Sequence, residues 1–215
     1  MSSLIKILLN YLINIYKEKP MRFSQLIEAD ATDIAVFYGG RFQPMHSGHH
    51  QVYMDLVDKF GSENVFIATT VSKTASPEKD PFSFDEKKKI MTDMFGIPAD
   101  KVLQTQPYKP DIRMTGKDPN NTAVLLVFSE KDAGRLKTGG YLRMYKDGEQ
   151  LVSSDEAGYI YTVPIKDDGR SATTFRNAMR MDIDDAKKRE VFADFFGNFN
   201  EEVYQFVLDK LNAIY

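Results

Sequence analysis

Short apolar runs separated by longer amphipathic stretches organise most of this chain. Residues 34–38, 65–70 and 123–129 are almost wholly apolar, and each run predicts a buried strand. The last of these runs is apolar on both faces, which is typical of a central strand in a parallel sheet. From residue 48 to residue 60, apolar residues recur at helical spacing, so a helix is predicted directly after the first strand.

A capping box marks the start of a second predicted helix. Ser83 and Glu86 have the spacing of a reciprocal cap, and the apolar residues that follow recur at helical spacing. The same stretch contains three consecutive lysines, and such a run is typical of a solvated helix face: Lys87, Lys88 and Lys89.

The second half of the chain contains weaker signals. Residues 146–149 (Lys-Asp-Gly-Glu) have the composition of a hairpin turn, which predicts a hairpin-like insertion near residues 141–161. An apolar segment follows at residues 159–165. Helical patterns at 184–196 and 200–215 predict two helices that pack on the sheet and carry no visible chemistry.

All three histidines of the chain lie directly after the first predicted strand. They are His46, His49 and His50, and they follow Gly39-Gly40, a glycine pair that lets the chain turn sharply with its amides exposed. A helix start with small residues and nearby positive charge is suited to bind an anion, most often phosphate. We therefore predict a phosphate site where the first strand passes into the first helix.

The residues of this junction leave two other interpretations open. His46 and His50 are four positions apart, a spacing that can chelate zinc from one helix face, although the chain has no cysteine and no evident third ligand. A capped turn with solvated histidines would have no chemistry at all. The coincidence of glycines, Arg41 and histidines at one junction favours phosphate over both.

Residues 40–49 read Gly-Arg-Phe-Gln-Pro-Met-His-Ser-Gly-His. This string resembles the signature of nucleotidyltransferases of the nicotinamide mononucleotide adenylyltransferase kind, within the cytidylyltransferase-like superfamily. Together with the alternating strands and helices, the resemblance implies an α/β fold: a Rossmann-like open parallel sheet with helices on both faces. It also implies that His46 and His49 contact the phosphates of a bound nucleoside triphosphate. Five neighbouring residues are expected to complete this part of the nucleotide site: Gly39, Gly40, Arg41, Phe42 and Gln43.

A second signature of the same enzymes is present late in the chain. Residues 171–176 read Ser-Ala-Thr-Thr-Phe-Arg and begin a helical pattern. Hydroxyl groups at a helix start can donate to phosphate oxygens, which makes Ser171 and Thr173 candidate ligands. The resemblance implies that Arg176, one turn later, meets the leaving pyrophosphate.

The end of the third apolar run supplies the remaining candidates. In the enzymes that the chain resembles, this place binds the adenosine part of the nucleotide, and ligands of open α/β sheets collect beyond the carboxyl ends of strands. Ser129 and Asp132 are therefore candidate nucleotide ligands, although a plain polar loop with a helix cap explains them equally well.

Composition narrows the class of protein further. The chain has 215 residues, is 42% hydrophobic and 27% charged, and carries a formal net charge of −3. These values are typical of a globular domain, and without a basic stripe we expect no binding to nucleic acid. The absence of cysteine fits a reducing compartment, and a cytoplasmic location is expected.

The first twenty residues form a separate segment in the predicted organisation. They are apolar, but Lys6, Asn10 and Asn14 interrupt them and the stretch is shorter than a spanning helix, so no membrane insertion is expected. We treat 1–20 as an N-terminal appendage that precedes a single domain over 21–215.

The expected activity is transfer of a nucleoside monophosphate, most simply AMP from ATP, to a phosphorylated acceptor with release of pyrophosphate. The resemblance favours nicotinamide mononucleotide as the acceptor and Mg²⁺ as the cofactor, with no metal ligand from the protein. Two alternatives stay open: a CTP-dependent cytidylyltransferase that acts on a small phosphorylated metabolite, and a noncatalytic nucleotide-binding regulator. Self-association into a homo-oligomer is also left open.

Overall fold

Six strands form one sheet in the protein, whose structure is a computed structural model that describes residues 31–70, 76–164 and 171–213. Across the sheet the strands follow the order β3-β2-β1-β4-β6-β5, and every neighbouring pair is parallel. In chain order they are β1 (Asp33–Gly39), β2 (Val65–Thr69), β3 (Val102–Gln104), β4 (Thr122–Ser129), β5 (Leu142–Met144) and β6 (Gly158–Val163).

The helices of the described chain lie between and after these strands. They are α1 (Ser47–Phe60), α2 (Phe84–Phe95), α3 (Glu130–Ala133), α4 (Ala172–Arg180), α5 (Asp185–Phe196) and α6 (Glu201–Asn212), with short 3-10 helices at Ala99–Lys101 and Ile112–Thr115.

The centre of the sheet creates the crevice in which ligands of such folds bind. Strand β1 pairs with β2 on one side and with β4 on the other, and all but the last residue of β4 are buried. The strand order therefore reverses between β1 and β4. At such a switch point the connections leave in opposite directions and open a crevice beyond the carboxyl ends of the strands.

The two faces of the sheet are covered unequally. Helix α1 packs on one face through Val52, Tyr53 and Leu56, together with Met91 of α2. The opposite face is covered by α3 and by the 3-10 helix around Ile112. The predicted Rossmann-like α/β fold is confirmed, with long helices on one face and only short ones on the other.

A second apolar core lies away from the sheet. It consists of side chains from α2, α4, α5 and α6 and contains many aromatic rings, among them Phe175, Phe192, Phe195 and Tyr204. The prediction that the two C-terminal helices pack on the sheet is wrong. Because α2 has buried residues on two of its sides, these helices bury their apolar faces against α2 and α4 instead.

The predicted hairpin near residues 141–161 is also wrong. A turn does form at residues 146–149, where Glu149 N donates to Lys146 O (3.1 Å). The strands on either side of this turn do not form an antiparallel hairpin, because β5 pairs with β6 in parallel, with Leu142 opposite Gly158. Parallel neighbours require a connection of about a dozen residues or more, and residues 145–157 provide it.

The N-terminal appendage predicted at residues 1–20 lies outside the described residues. Among the helices that are described, none is both long enough and apolar enough to cross a bilayer.

Candidate active site

Two glycines shape the turn after β1 because neighbouring rings approach their backbone closely. A Cβ atom on Gly39 would lie 2.6 Å from a ring carbon of Phe128, and a Cβ on Gly40 would lie 2.6 Å from the ring of Phe42. Phe42 itself has a φ of 47°, a left-handed conformation that non-glycine residues rarely adopt. The buried Phe42 ring packs edge-on against Tyr38 and His49, and these contacts hold the strained turn in place.

Backbone hydrogen bonds orient the two signature histidines. His46 is the N-cap of α1, and its Nδ1 accepts from Gly48 N at 3.1 Å. The Nδ1 of His49 accepts from His46 N at 3.4 Å. Since Nδ1 of each ring is an acceptor, the proton of each neutral ring belongs on Nε2. The ring centroids are 3.8 Å apart with 34° between the ring planes, so the two imidazoles contact each other at the helix start.

His50 faces a different environment. Its ring stacks on Phe95 with a centroid distance of 4.7 Å, and partial burial lowers the pKa of the imidazole. Within residues 31–70, 76–164 and 171–213, no group of three or more His, Cys, Asp or Glu side chains is placed to hold a metal ion.

Lys87 is buried, which contradicts the solvated face predicted for the three consecutive lysines. The helical period of α2 places it on the same side as Ile90, Met91 and Met94, all of which are buried. Its Nζ donates to Thr69 Oγ1 (2.7 Å), Thr70 O (3.0 Å) and Arg41 O (3.1 Å). Lys87 therefore ties α2 to the end of β2 and to the turn after β1. Burial lowers the pKa of its ammonium group to about 8.

Arg176 ties the second signature to the first. It is buried, and its Nη1 donates to Gln43 O (2.5 Å) while its Nε donates to Glu78 O (3.2 Å). Burial also lowers the pKa of the guanidinium. Ser171 caps α4 by accepting from Thr174 N, and Thr173 accepts a bond from Arg176 Nη2 (3.3 Å). The helix start and the guanidinium thus face the same side as the turn after β1.

The end of β4 carries a short polar chain of contacts. Ser129 caps α3 and lies 3.2 Å from Asp132 Oδ2, while Asp132 pairs with Arg135 at 3.0 Å. Arg135 also donates to the hydroxyl of Tyr108 (3.3 Å), whose ring stacks on Phe128 at 4.7 Å between centroids. This chain of contacts links the end of β4 to the loop that follows β3.

One open cavity of about 580 Å³ lies at the carboxyl ends of β1 and β4. Every candidate site residue from the sequence lines it: Gly39, Gly40, Arg41, Phe42, Gln43, His46, His49, Ser129, Asp132, Ser171, Thr173 and Arg176. The fold therefore brings together residues from both signatures and from the β4 end.

Sequence reasoning missed four residues with polar groups in the same cavity, namely Tyr38, Lys79, Tyr108 and Arg135. Tyr108 and Arg135 follow the short strand β3 and the short helix α3, which had not been recognised as elements. The apolar pair Val102-Leu103 is the signal in the sequence that could identify Tyr108. If the pair is assigned to a parallel strand, the carboxyl end of that strand lies at the same edge of the sheet as the ends of β1 and β4, and Tyr108 follows it.

The charge of the cavity differs from that of the whole chain. Although the net charge of the protein is −3, the described lining has four cationic side chains, Arg41, Lys79, Arg135 and Arg176, and a single carboxylate, Asp132. Positive side chains together with the start of helix α1 favour anions in this cavity.

The fold and the cavity define a class: an α/β protein with a cationic cavity at the switch point of a parallel sheet, a place suited to a phosphate-bearing ligand. Residues 37–166 match the family model described as cytidylyltransferase-like, which is more than half of the chain. The chain therefore belongs to the cytidylyltransferase-like family, and it is a nucleotidyltransferase. The family predicted from the two signatures is confirmed.

Solved structures with a similar backbone include two adenylyltransferases. A bifunctional NMN adenylyltransferase/ADP ribose pyrophosphatase of Francisella tularensis, complexed with AMP and a manganese ion, is 21% identical, with a TM-score of 0.43. The similarity covers 84% of this chain but 53% of that one, so this chain spans about half the length of the bifunctional protein.

The other is the nicotinic acid mononucleotide adenylyltransferase of Plasmodium falciparum. Its complex with NaAD is 10% identical, covers 85% of this chain and 97% of that chain, and has a TM-score of 0.50. Its complex with APC gives the same identity and coverage, with a TM-score of 0.48. At this level of identity, the likeness to the NaAD complex supports the fold alone. No curated protein matches the chain.

Proposed function

We propose that this nucleotidyltransferase transfers AMP from ATP to nicotinamide mononucleotide, or to a closely related mononucleotide, and releases pyrophosphate. The observation that carries the proposal is the convergence of both signatures on one cationic cavity. A site that binds a triphosphate needs donors for three phosphate groups, and this cavity offers imidazole, guanidinium, ammonium, hydroxyl and backbone donors together.

His46 and His49 hold the triphosphate in this proposal. Their Nδ1 atoms accept backbone N–H groups, so each Nε2–H is the donor that meets a phosphate oxygen. The positive end of the α1 dipole also favours the negative charge of the phosphates. We assign the α- and β-phosphates to this end of the cavity.

Arg176 meets the pyrophosphate that leaves. A guanidinium has five N–H donors, and three of them bind Gln43 O, Glu78 O and Thr173 Oγ1. These bonds fix the plane of the group, and in this proposal the remaining two donors bind the pyrophosphate. Ser171 and Thr173 add hydroxyl groups from the start of α4. A charge fixed in advance stabilises the leaving group without reorganisation at the moment of reaction.

The donor set fits a magnesium ion held by the nucleotide rather than by the protein. Asp132 is the only carboxylate among the described residues that line the cavity, and it already pairs with Arg135. Mg²⁺ commonly keeps its waters and binds through phosphate oxygens. When bound with the triphosphate, it would neutralise charge that the cationic side chains leave uncompensated.

The acceptor lies beside Tyr108 in this proposal. One face of the Tyr108 ring stacks on Phe128, and the residue is partly exposed in the cavity. Because the chain has no tryptophan, a planar acceptor ring has to stack on a phenylalanine or tyrosine. Arg135, bonded to the Tyr108 hydroxyl, provides a donor next to that ring.

The reaction follows from this placement. A phosphate oxygen of the acceptor attacks the α-phosphorus in line and forms a new P–O bond. The bond from the α-phosphorus to the bridging oxygen breaks, and pyrophosphate leaves with the electron pair. No covalent intermediate with the protein is required, so the protein acts by positioning and by charge stabilisation. A cytoplasmic enzyme fits both the cysteine-free chain and the use of a free nucleoside triphosphate.

Pyrophosphate release tests the proposal directly. ATP and CTP are each supplied with Mg²⁺ and one of four acceptors: nicotinamide mononucleotide, nicotinate mononucleotide, phosphopantetheine or glycerol 3-phosphate. We expect release with ATP and one of the two mononucleotides. Release with CTP alone would establish a cytidylyltransferase instead. ATP binding without release from any pair would favour a noncatalytic regulator.

A further inference from the structure

Phe195, near the end of α5, contacts elements of both signatures. Its ring meets His46 edge-on, with 5.3 Å between centroids and an interplanar angle of 68°. The same ring stacks on Phe175 at 4.1 Å and 16°. Its carbonyl oxygen accepts from Ser47 Oγ at 3.3 Å. One residue of the C-terminal helices therefore touches the start of α1 and the middle of α4.

Each of these contacts is next to a group in the candidate site. His46 is the N-cap of α1 and lines the cavity, and Ser47 begins the helix. Phe175 directly precedes Arg176 on α4. The rings of Phe195, Phe175 and His46 are all buried. In a close-packed interior a buried ring that lies between two others fixes their relative positions.

We propose that Phe195 is a positioning residue that fixes the His46 ring relative to α4 and so couples the two signatures that hold the triphosphate. The inference rests on the proposed function, since it assigns both signatures to one ligand. It gives the C-terminal helices a role in catalysis, although the sequence indicated no chemistry in them.

The neighbouring Phe192 provides a matched control. It lies on the same helix, is equally buried and belongs to the same aromatic cluster. Its ring contacts involve Phe175, Phe196, Phe199 and Tyr204, with none to His46 among the described ring pairs. Leucine at either position removes a similar apolar volume from the cluster, so a purely structural role predicts similar consequences for both variants.

The kinetic experiment compares Phe195→Leu with Phe192→Leu. Both variants are expected to lose thermal stability. In Phe195→Leu, turnover in pyrophosphate release is expected to fall by about 10-fold or more, since a displacement of about 1 Å at a reacting group costs up to about 100-fold. In Phe192→Leu, turnover is expected to stay within about 2-fold of wild type. Equal turnover in the two variants would overturn the inference. Phe195→Met gives a second, more conservative variant if Phe195→Leu does not fold.

A double variant separates positioning from general damage. If Phe195 acts through His46, Phe195→Leu should lower turnover much less in a His46→Asn background than in wild type. The same loss in both backgrounds would overturn the inference.

A spectroscopic readout tests the placement independently of any reaction. The chain has three histidines, so its proton NMR spectrum contains three imidazole Hε1 signals. The edge-on ring of Phe195 should shift the His46 signal, and that shift should be lost in Phe195→Leu and kept in Phe192→Leu. An unchanged His46 signal in Phe195→Leu would overturn the positioning. Absence of pyrophosphate release from the wild type would instead count against the proposed function.

Discussion

At the scale of single residues, the strongest consequence concerns the orientation of His46 and His49. Each Nδ1 accepts a backbone N–H, so each imidazole presents Nε2 as its donor. The N-cap of α1 is thus a histidine in place of the usual serine, threonine or aspartate, and the proposed phosphate ligand is also the helix cap.

His49→Ala is expected to lose at least about 100-fold in turnover, as observed generally when one charge-stabilising donor is removed. Pyrophosphate release measures the effect, and circular dichroism checks the fold. His50→Ala serves as the control, because His50 stacks on Phe95 and does not line the cavity. That variant should keep near-normal turnover. Similar losses in both variants would contradict the assignment of His49.

Lys87 gives a prediction for the pH dependence of stability. The pKa of Lys87 is lowered to about 8 in the folded protein, from 10.5 for an ordinary lysine. Between these values the unfolded chain binds more protons than the folded one, so this group makes the protein more stable as the pH rises. Below about pH 8 the buried charge is present at its full cost.

Compared with Lys87→Met, the wild type should therefore gain unfolding free energy between pH 8 and 10.5, on the order of 3 kcal/mol across the window. Denaturant unfolding of both proteins at pH 7.5 and pH 10 measures the change, and the comparison cancels groups that titrate in both. A stability difference that does not change with pH would show that Lys87 keeps an ordinary pKa.

Residue types predicted most of the cavity, but not all of it. A purely structural role rarely requires histidines, glycines and an arginine together at one strand-to-helix turn, so the sequence alone was sufficient to select these residues. Lys87 was misassigned, because a lysine on the buried side of a helix reads as solvated until its three oxygen partners are known. These partners lie in the turn after β1 and at the end of β2, which only the tertiary structure brings next to α2.

At the scale of elements, the capping box of α2 is formed as the sequence predicted. Ser83 N donates to Glu86 Oε2 at 2.7 Å, and Glu86 N donates to Ser83 Oγ at 3.3 Å. The cap fixes the start of the helix that carries Lys87 towards the site.

Ser83→Ala should lower the unfolding free energy by about 1 kcal/mol, the usual cost of a lost N-cap. Denaturant unfolding measures it, with Ser62→Ala as a control at an exposed turn position. The control should change stability by less than about 0.5 kcal/mol. If both variants behave alike, the cap contributes nothing to stability.

The strands that the hydrophobic pattern does not predict are short, and they form only by pairing with neighbouring strands. Strands β3 and β5 have three residues each, too few for a periodic pattern to identify them. The turn at 146–149 was recognised, but pairing was inferred from the turn alone. Strand β5 instead pairs with β6 in parallel, and the turn lies within the long connection that a parallel pair requires.

At the scale of the whole molecule, an acidic protein concentrates positive charge in one cavity. Lys79 lines this cavity and is exposed, so we expect it to act on the proposed nucleotide through long-range attraction. Of the other cationic side chains in the cavity, Arg135 is held by an ion pair and Arg176 by hydrogen bonds with the protein. Arg41 is exposed, like Lys79.

Lys79→Gln should weaken ATP binding by about 2- to 5-fold at low salt, the range expected for an exposed charge. Calorimetry at two ionic strengths measures it, and the difference from wild type should shrink as salt screens the charge. Lys187→Gln, an exposed lysine on α5 outside the cavity, is the control and should have no effect. A loss that persists at high salt would indicate direct contact instead.

Helix α2 lies in both apolar cores: Met91 packs towards the sheet, while Ile90 and Met94 pack into the aromatic cluster. Because the two cores share this wall, neither can open without exposing one side of the helix to water. The sheet and the C-terminal helices should consequently unfold in one cooperative step, and hydrogen exchange should give closely similar opening free energies for backbone amides in α2, α5 and β4. Such shared unfolding protects the cavity too, since His46 and Arg176 lose their placement only when the whole domain opens.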